Sequence, residues 1–177
     1  MACIKTLDKA ITYDCQPGSV GIAEMYLINF DDVTDTAEGA LSDVLTMTLK
    51  SGAKTIPVEA YKNGAKLTEA LKLSDVSAGL DQTIMFTLYD KAANSRMIIR
   101  ALMSGRFMAA VKLNDISALK QLVGYKCGLE ISQADTDSSA AGGFTTITIK
   151  TPDDARGENR WGLGNTAWNT IVSAKID

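Results

Sequence analysis

The sequence predicts a mainly β protein, an antiparallel sandwich or barrel with one flanking α-helix. Three observations carry that expectation. Seven or eight runs alternate large apolar side chains with smaller or polar ones, the period of two that turns one strand face into a core. One stretch, Lys91 to Ser104, follows helical spacing instead. Strands and helices do not alternate as they would in a parallel α/β sheet.

The first strand is read over Val20 to Phe30: Val20, Ile22, Tyr26, Ile28 and Phe30 lie on one face, and Gly21, Ala23, Met25, Leu27 and Asn29 on the other. The second face is still fairly apolar, which implies partial cover by another element or another subunit. From Asp31 to Asp43 the chain carries Asp31, Asp32, Asp35, Glu38 and Asp43 and no basic residue, the composition of an exposed loop. Asp43 to Lys50 alternates again and stops at Ser51-Gly52. In the run Ile56 to Ala60, Pro57 cannot donate to a ladder, so that strand belongs at an edge or carries its proline at an unpaired position. Asn63-Gly64 tolerates the positive φ of a two-residue hairpin turn and predicts a return strand over Ala65 to Leu73, a segment that also holds helix formers.

Leu80 to Tyr89 places Ile84, Phe86 and Leu88 on one face. In the helix that follows, Ala93, Met97, Arg100 or Ala101, and Ser104 share one side, and Gly105 supplies a C-terminal stop. Phe107 to Leu113 is a further strand, and Asp115 to Val123 reads as one or two helical turns capped by Asn114 or Asp115. Lys126 to Ser132 and Phe144 to Thr151 form a last pair across a long polar loop. Pro152 to Asp177 is rich in Gly and Asn, and is expected to run over the surface and dock through Trp161 and Trp168.

At 177 residues the chain suits one domain with a real core, and 46% hydrophobic against 22% charged residues supports folding over disorder. The formal net charge of -3 and the pI near 5.0 argue against a free-standing nucleic-acid binder. No basic segment followed by an apolar run opens the chain, and no apolar run reaches the roughly 20 residues of a membrane-spanning helix. Cys3, Cys15 and Cys127 lack C-x-x-C spacing and read as thiols of a reducing compartment, chiefly as small buried hydrophobes. Histidine is absent, which removes the commonest general base and zinc ligand together.

Among candidate constellations, Asp31, Asp32 and Asp35 have the oxygen density of a cation site but lack the spacing of a calcium loop. A solvated acidic loop is the preferred reading over a metal site or a catalytic pair. Gly162-Leu163-Gly164-Asn165 is a fragment of a phosphate loop with no following Lys, and reads as a turn. Without histidine Cys15 and Cys127 lack a base, Cys15 has no basic neighbour close in sequence, and Lys126 beside Cys127 is too little to activate it. Arg156, Arg160, Trp161 and Trp168 combine cations with indoles and form a candidate interface patch in preference to a nucleic-acid site.

The opening MACIKTLDKAITYDCQPGSVGIAEMYLINFDDV resembles the start of phage tail tube proteins: an arm, a Cys, a glycine-bearing turn, then a long Tyr-containing strand leaving through Asn-Phe-Asp. The similarity continues through the strand-helix-strand centre, Leu80 to Leu113, and the late hairpin GLEISQADTDSSAAGGFTTITIKTPDDA. The resemblance implies one tail-tube-like domain over 1–177, with an N-terminal arm at 1–17 and a C-terminal extension at 152–177. It implies rings, usually hexameric, of identical subunits that stack into the hollow tube of a virion assembled in the bacterial cytoplasm. Other tail or connector proteins would be partners, DNA a passing cargo, and no catalytic, cofactor or metal site is implied. A ring protein of a tail barrel or head-to-tail joint is the related alternative. In this frame Asp31, Asp32, Asp35, Glu38 and Asp43 are candidates for subunit contact or for an acidic lumen that lets DNA slide. Outside it stand a β-sandwich binding module, which needs exposed aromatics, and an enzyme using carboxylates such as Asp31 with Glu24 or Asp153 with Asp154.

Overall fold

A computed structural model describes residues 21–59, 64–74, 77–88, 93–114, 119–136, 144–153 and 157–176. The architecture is mainly β: two sheets face each other, helices flank them, and no barrel closes. The strands of the larger sheet are β1 (Ile22–Asn29), β2 (Val33–Glu38), β3 (Asp43–Leu49), β4 (Ile56–Val58), β7 (Phe107–Leu113), β8 (Lys120–Val123) and β11 (Trp161–Leu163). They are ordered β2-β3-β11-β8-β7-β1-β4, antiparallel except for β11 against β3. The smaller sheet is fully antiparallel, in the order β5 (Ala65–Ser74), β6 (Ser77–Leu88), β10 (Thr145–Lys150), β9 (Glu130–Thr136). Helix α1 (Ala93–Ser104) joins β6 to β7 and packs beside β9, while α2 (Asn165–Ser173) packs on β3.

The alternation read in β1 acts on both of its faces. Met25 and Leu27 enter a core between the sheets, with Ile84 and Phe86 of β6, Ile147 and Ile149 of β10 and Leu102 of α1. Tyr26 and Ile28 enter a second core, with Val44, Met47, Leu122, Trp161, Trp168 and Ile171. Strand β7 divides in the same way: Phe107, Ala109 and Val111 belong to the first core, Met108 and Ala110 to the second. The cover demanded by the apolar second face is thus supplied within the chain, by α2 and by β11.

The larger sheet cannot be flat. Strand β2 follows β1 after the single 3-10 turn Phe30–Asp32, yet four strands lie between them in the ladder order. Five interstrand steps span about 24 Å, whereas the chain from Asn29 to Val33 reaches at most about 14 Å. The sheet therefore curls around the second core and brings its β2 edge back toward the end of β1. Phe30 and Val33 pack against that core, and Thr36 Oγ1 lies 2.5 Å from Tyr125 Oη.

Several expectations are corrected. The acidic stretch is no loop: Val33–Glu38 is a strand, because its Val and Thr residues suit a ladder with β3. The Asn63-Gly64 hairpin does not form as read. Strand β4 pairs with β1 and β5 pairs with β6, so the connection passes between sheets; Asn63 itself lies outside the described residues. Lys120–Val123 is a strand where helical turns were expected, and 115–118 lie outside the described residues. The C-terminal segment is not a surface strap, since it supplies β11 and a second helix, and its indoles are core residues. Pro57 does lie on an edge strand, at the end of the larger sheet.

Trp168 meets Tyr26 edge-to-face at 5.5 Å between ring centroids and is 6% exposed. Trp168→Ala should cost about 3–5 kcal/mol, read as a lowered urea midpoint in equilibrium unfolding. A loss below about 1 kcal/mol would mean that α2 does not close the second core.

Candidate functional site

The five acidic candidates do not converge. Asp31 is exposed in the 3-10 turn, Asp32 accepts a hydrogen bond from Asn29 Nδ2 at 2.8 Å, and Asp35 caps its neighbour's N–H at 2.9 Å. Glu38 is tied to the turn between β8 and β9, where Tyr125 Oη donates to it at 2.9 Å and Lys126 Nζ forms an ion pair with it. The bond from Lys126, and then that from Tyr125, holds the Glu38 carboxyl below the usual carboxylate range. Burial pulls Lys126 down, but its bonds to Glu38 and Tyr125 outweigh that pull and its ammonium titrates above the ordinary value. Asp43 lies over Gly162, where a Cβ would stand 2.0 Å from Asp43 Oδ1. Among the described residues no three acidic or Cys side chains gather as metal ligands would.

The basic and aromatic candidates separate as well. Arg156 lies outside the described residues. Arg160 is exposed and pairs with Glu69, its Nε at 2.7 Å from Oε2. Trp161 and Trp168 are buried, Trp161 against Tyr125 at 4.9 Å and Trp168 against Tyr26. All four of these rings are packed inside, so none of them offers the exposed stacking platform that a sugar-binding sandwich needs.

Sequence reading missed Glu158, the most buried carboxylate among the described residues at 2% exposed. Its Oε1 accepts the N–H of Lys126 at 2.6 Å and of Cys127 at 3.2 Å. Those groups belong to a tight turn whose ends, Gly124 (φ 71°) and Gly128 (φ 73°), are left-handed. Successive N–H groups turned into one concavity make an anion nest, and here the chain fills it with its own carboxylate. The backbone of Glu158 pairs with Leu80 at 2.7 and 2.9 Å. That approach needs two glycines: a Cβ on Gly79 would stand 2.3 Å from Gly157 C, and one on Gly157 2.6 Å from Gly79 Cα. Gly79 falls inside β6 only because that strand begins at Ser77, ahead of the Leu80 start read from the sequence. Burial raises the Glu158 carboxyl against the pull of the turn N–H groups. Burial and then the Glu158 charge raise the Cys127 thiol, the direction opposite to that of an activated nucleophile.

The smaller sheet presents a different kind of feature. No described strand pairs with the outer edge of β5 or of β9. Ladder register places Lys66 and Lys72 of β5, and Glu130 and Asp135 of β9, on the face turned away from the core. Beside β9, a depression of about 400 Å³ is lined by Leu102, Met103, Arg106, Glu130 and Ile131. No described helix is long and apolar enough to cross a membrane. Comparison with protein-family models, curated proteins and solved structures yields no match for this chain.

A carboxyl whose folded pKa lies above its unfolded value binds more protons when folded, so stability falls as pH rises through the window between the two values. For Glu158 that window opens near 4.5 and extends upward. Relative to Glu158→Gln, the wild type should lose stability from about pH 4.5 toward neutrality, measured by denaturant unfolding across that range. A difference that stays constant with pH would exclude a raised Glu158.

Proposed function

We propose that the chain is a structural subunit of a phage tail tube, joining identical copies head to tail into rings that stack into a conduit for the genome. A ring protein of a tail barrel or head-to-tail joint would use the same geometry. The observation that carries this reading is the contrast between the edges of the two sheets.

In the larger sheet, β4 carries Pro57, which removes a donor. Its other edge, β2, is acidic and broken by register shifts at Val33/Asp35 and Ala37/Glu38. Such devices prevent edge pairing. In the smaller sheet the β5 ladder to β6 runs from Ala65↔Phe86 to Ser74↔Ser77 without a shift, and β9 has a single shift, between Ile131 and Gln133, beyond which it is regular to Thr136. Because four strands alternate in direction, β5 and β9 run oppositely. A copy added by rotation therefore brings its β5 antiparallel beside β9, and each addition recreates the same edge. Heterologous contacts of this kind close into rings when the rotation closes. The outward charges match in part: Lys66 on one edge complements Asp135 on the other, whereas Lys72 already donates to Asp153 O at 2.8 Å and Glu130 is paired with Arg106 at 2.7 Å.

The bulkier seven-stranded layer belongs at the larger radius of such a ring. The bore is then lined by the outer face of the smaller sheet, with Thr68, Thr83, Thr87, Thr146 and Thr148. Its Lys residues are interspersed with carboxylates, so sliding phosphates meet no continuous basic track. Asp31, Asp35 and Glu38 lie on the other layer, away from the bore.

Light scattering and negative-stain microscopy of the purified chain should reveal rings or tubes. Asp135→Lys should weaken assembly, and adding Lys66→Asp should restore it in part. A chain that stays monomeric at high concentration would overturn the reading.

A further inference from the structure

We propose that helix α1 of one copy seats in the depression beside β4 of the next copy and closes the open flank of that copy's sandwich. This rests on the head-to-tail reading above and names the second contact of the same interface. The first core is sealed unequally. On the β9 side, Leu102 of α1 closes it, with Ile99 partly buried beside it. On the opposite side β4 and β5 stand at the sheet ends, and Ile56, Val58 and Leu67 are only partly buried against the core. A copy that presents its β5 to a neighbour's β9 presents its β4 flank to that neighbour's α1.

The two surfaces match in chemistry. On α1, Met97 is 69% exposed and stands with exposed Arg96 and Arg100 on the side away from Ile99 and Leu102, Met103, 71% exposed, lies about a third of a turn round beside β9, and the helix has no acidic residue. Flexible thioethers exposed to this degree suit a partner surface. The receiving depression, about 360 Å³, is lined by Glu24, Met25, Pro57, Val58 and Glu59 among others. Glu59 is exposed, and Glu24 holds Lys112 Nζ at 2.6 Å with its side chain 40% exposed. A basic, methionine-bearing helix thus faces an acidic depression with an apolar floor. The helix would serve two cores, its inner side sealing its own and its outer side the neighbour's.

The test compares the wild type with Met97→Asp/Met103→Asp, using light scattering against concentration and circular dichroism to check the fold. The variant should remain folded while the concentration needed for rings rises at least about thirtyfold, the effect of losing one interface hot spot. Arg96→Glu/Arg100→Glu should also weaken rings, and adding Glu59→Arg should recover part of the loss. Rings of the methionine variant forming at the wild-type concentration would overturn the α1 contact while leaving the ring reading intact. A wild type that never forms rings would overturn both. Should the variants misfold, peroxide oxidation of wild-type Met97 and Met103 decides: slower oxidation in rings than in dissociated chains supports the contact, and equal rates overturn it.

Discussion

A sheet that is apolar on both faces has to be covered twice, and most of this architecture follows from meeting that demand within one chain. Strands β1 and β7 each send alternate residues into two cores. The smaller sheet and α1 cover one face. The curl of the larger sheet, with α2 over it, covers the other. Because burial of apolar surface is the dominant favourable term, the polar features are arranged around these two cores. Gln82, 1% exposed, accepts from Gly124 N–H at 3.0 Å and donates to Glu69 at 2.9 Å, linking the smaller sheet to the β8–β9 turn. Glu158 fastens the same turn from the C-terminal side.

What was legible in the sequence was local. Period-two alternation found β1, β3, β7 and β10, and helical spacing found α1, since a side chain's direction follows directly from its backbone period. Pro57 announced an edge because its chemistry permits little else. What stayed hidden depended on contacts distant in the chain. Helix α2, NTAWNTIVS, is poor in strong helix formers and is held by burial of Ala167, Trp168 and Ile171. Strand β2 looked like a loop because its carboxylates dominate the composition, although its backbone pairs with β3. Asn63-Gly64 was read as joining neighbouring strands, but turn residues specify a bend and not the sheet that receives the chain.

The candidate site was less legible still. Charge density drew attention to Asp31, Asp32 and Asp35, of which the Asp32 and Asp35 side chains bond within three residues of themselves, whereas Glu158 has no sequence mark apart from the glycine before it. Trp161 and Trp168 suggested a surface because of the Gly and Asn residues around them, yet an indole in a polar segment is as able to anchor that segment as to display it. The sheet edges could not be read before the ladder order was known. An edge is a property of topology, and β5 and β9 have no distinctive composition.

The position of β11 has a consequence for how the chain reaches its fold. Trp161–Leu163 lies between β3 and β8, so the hairpin of β2 and β3 joins the rest of its sheet only through a segment more than a hundred residues later in the sequence. Until that segment arrives, β3 and β8 each expose an unpaired ladder, and the second core lacks both tryptophans. Such non-local closure slows folding and prolongs the exposure of sticky edges. Strand β11 is therefore a latch: the hairpin, the curled sheet and the second core are complete only with it in place.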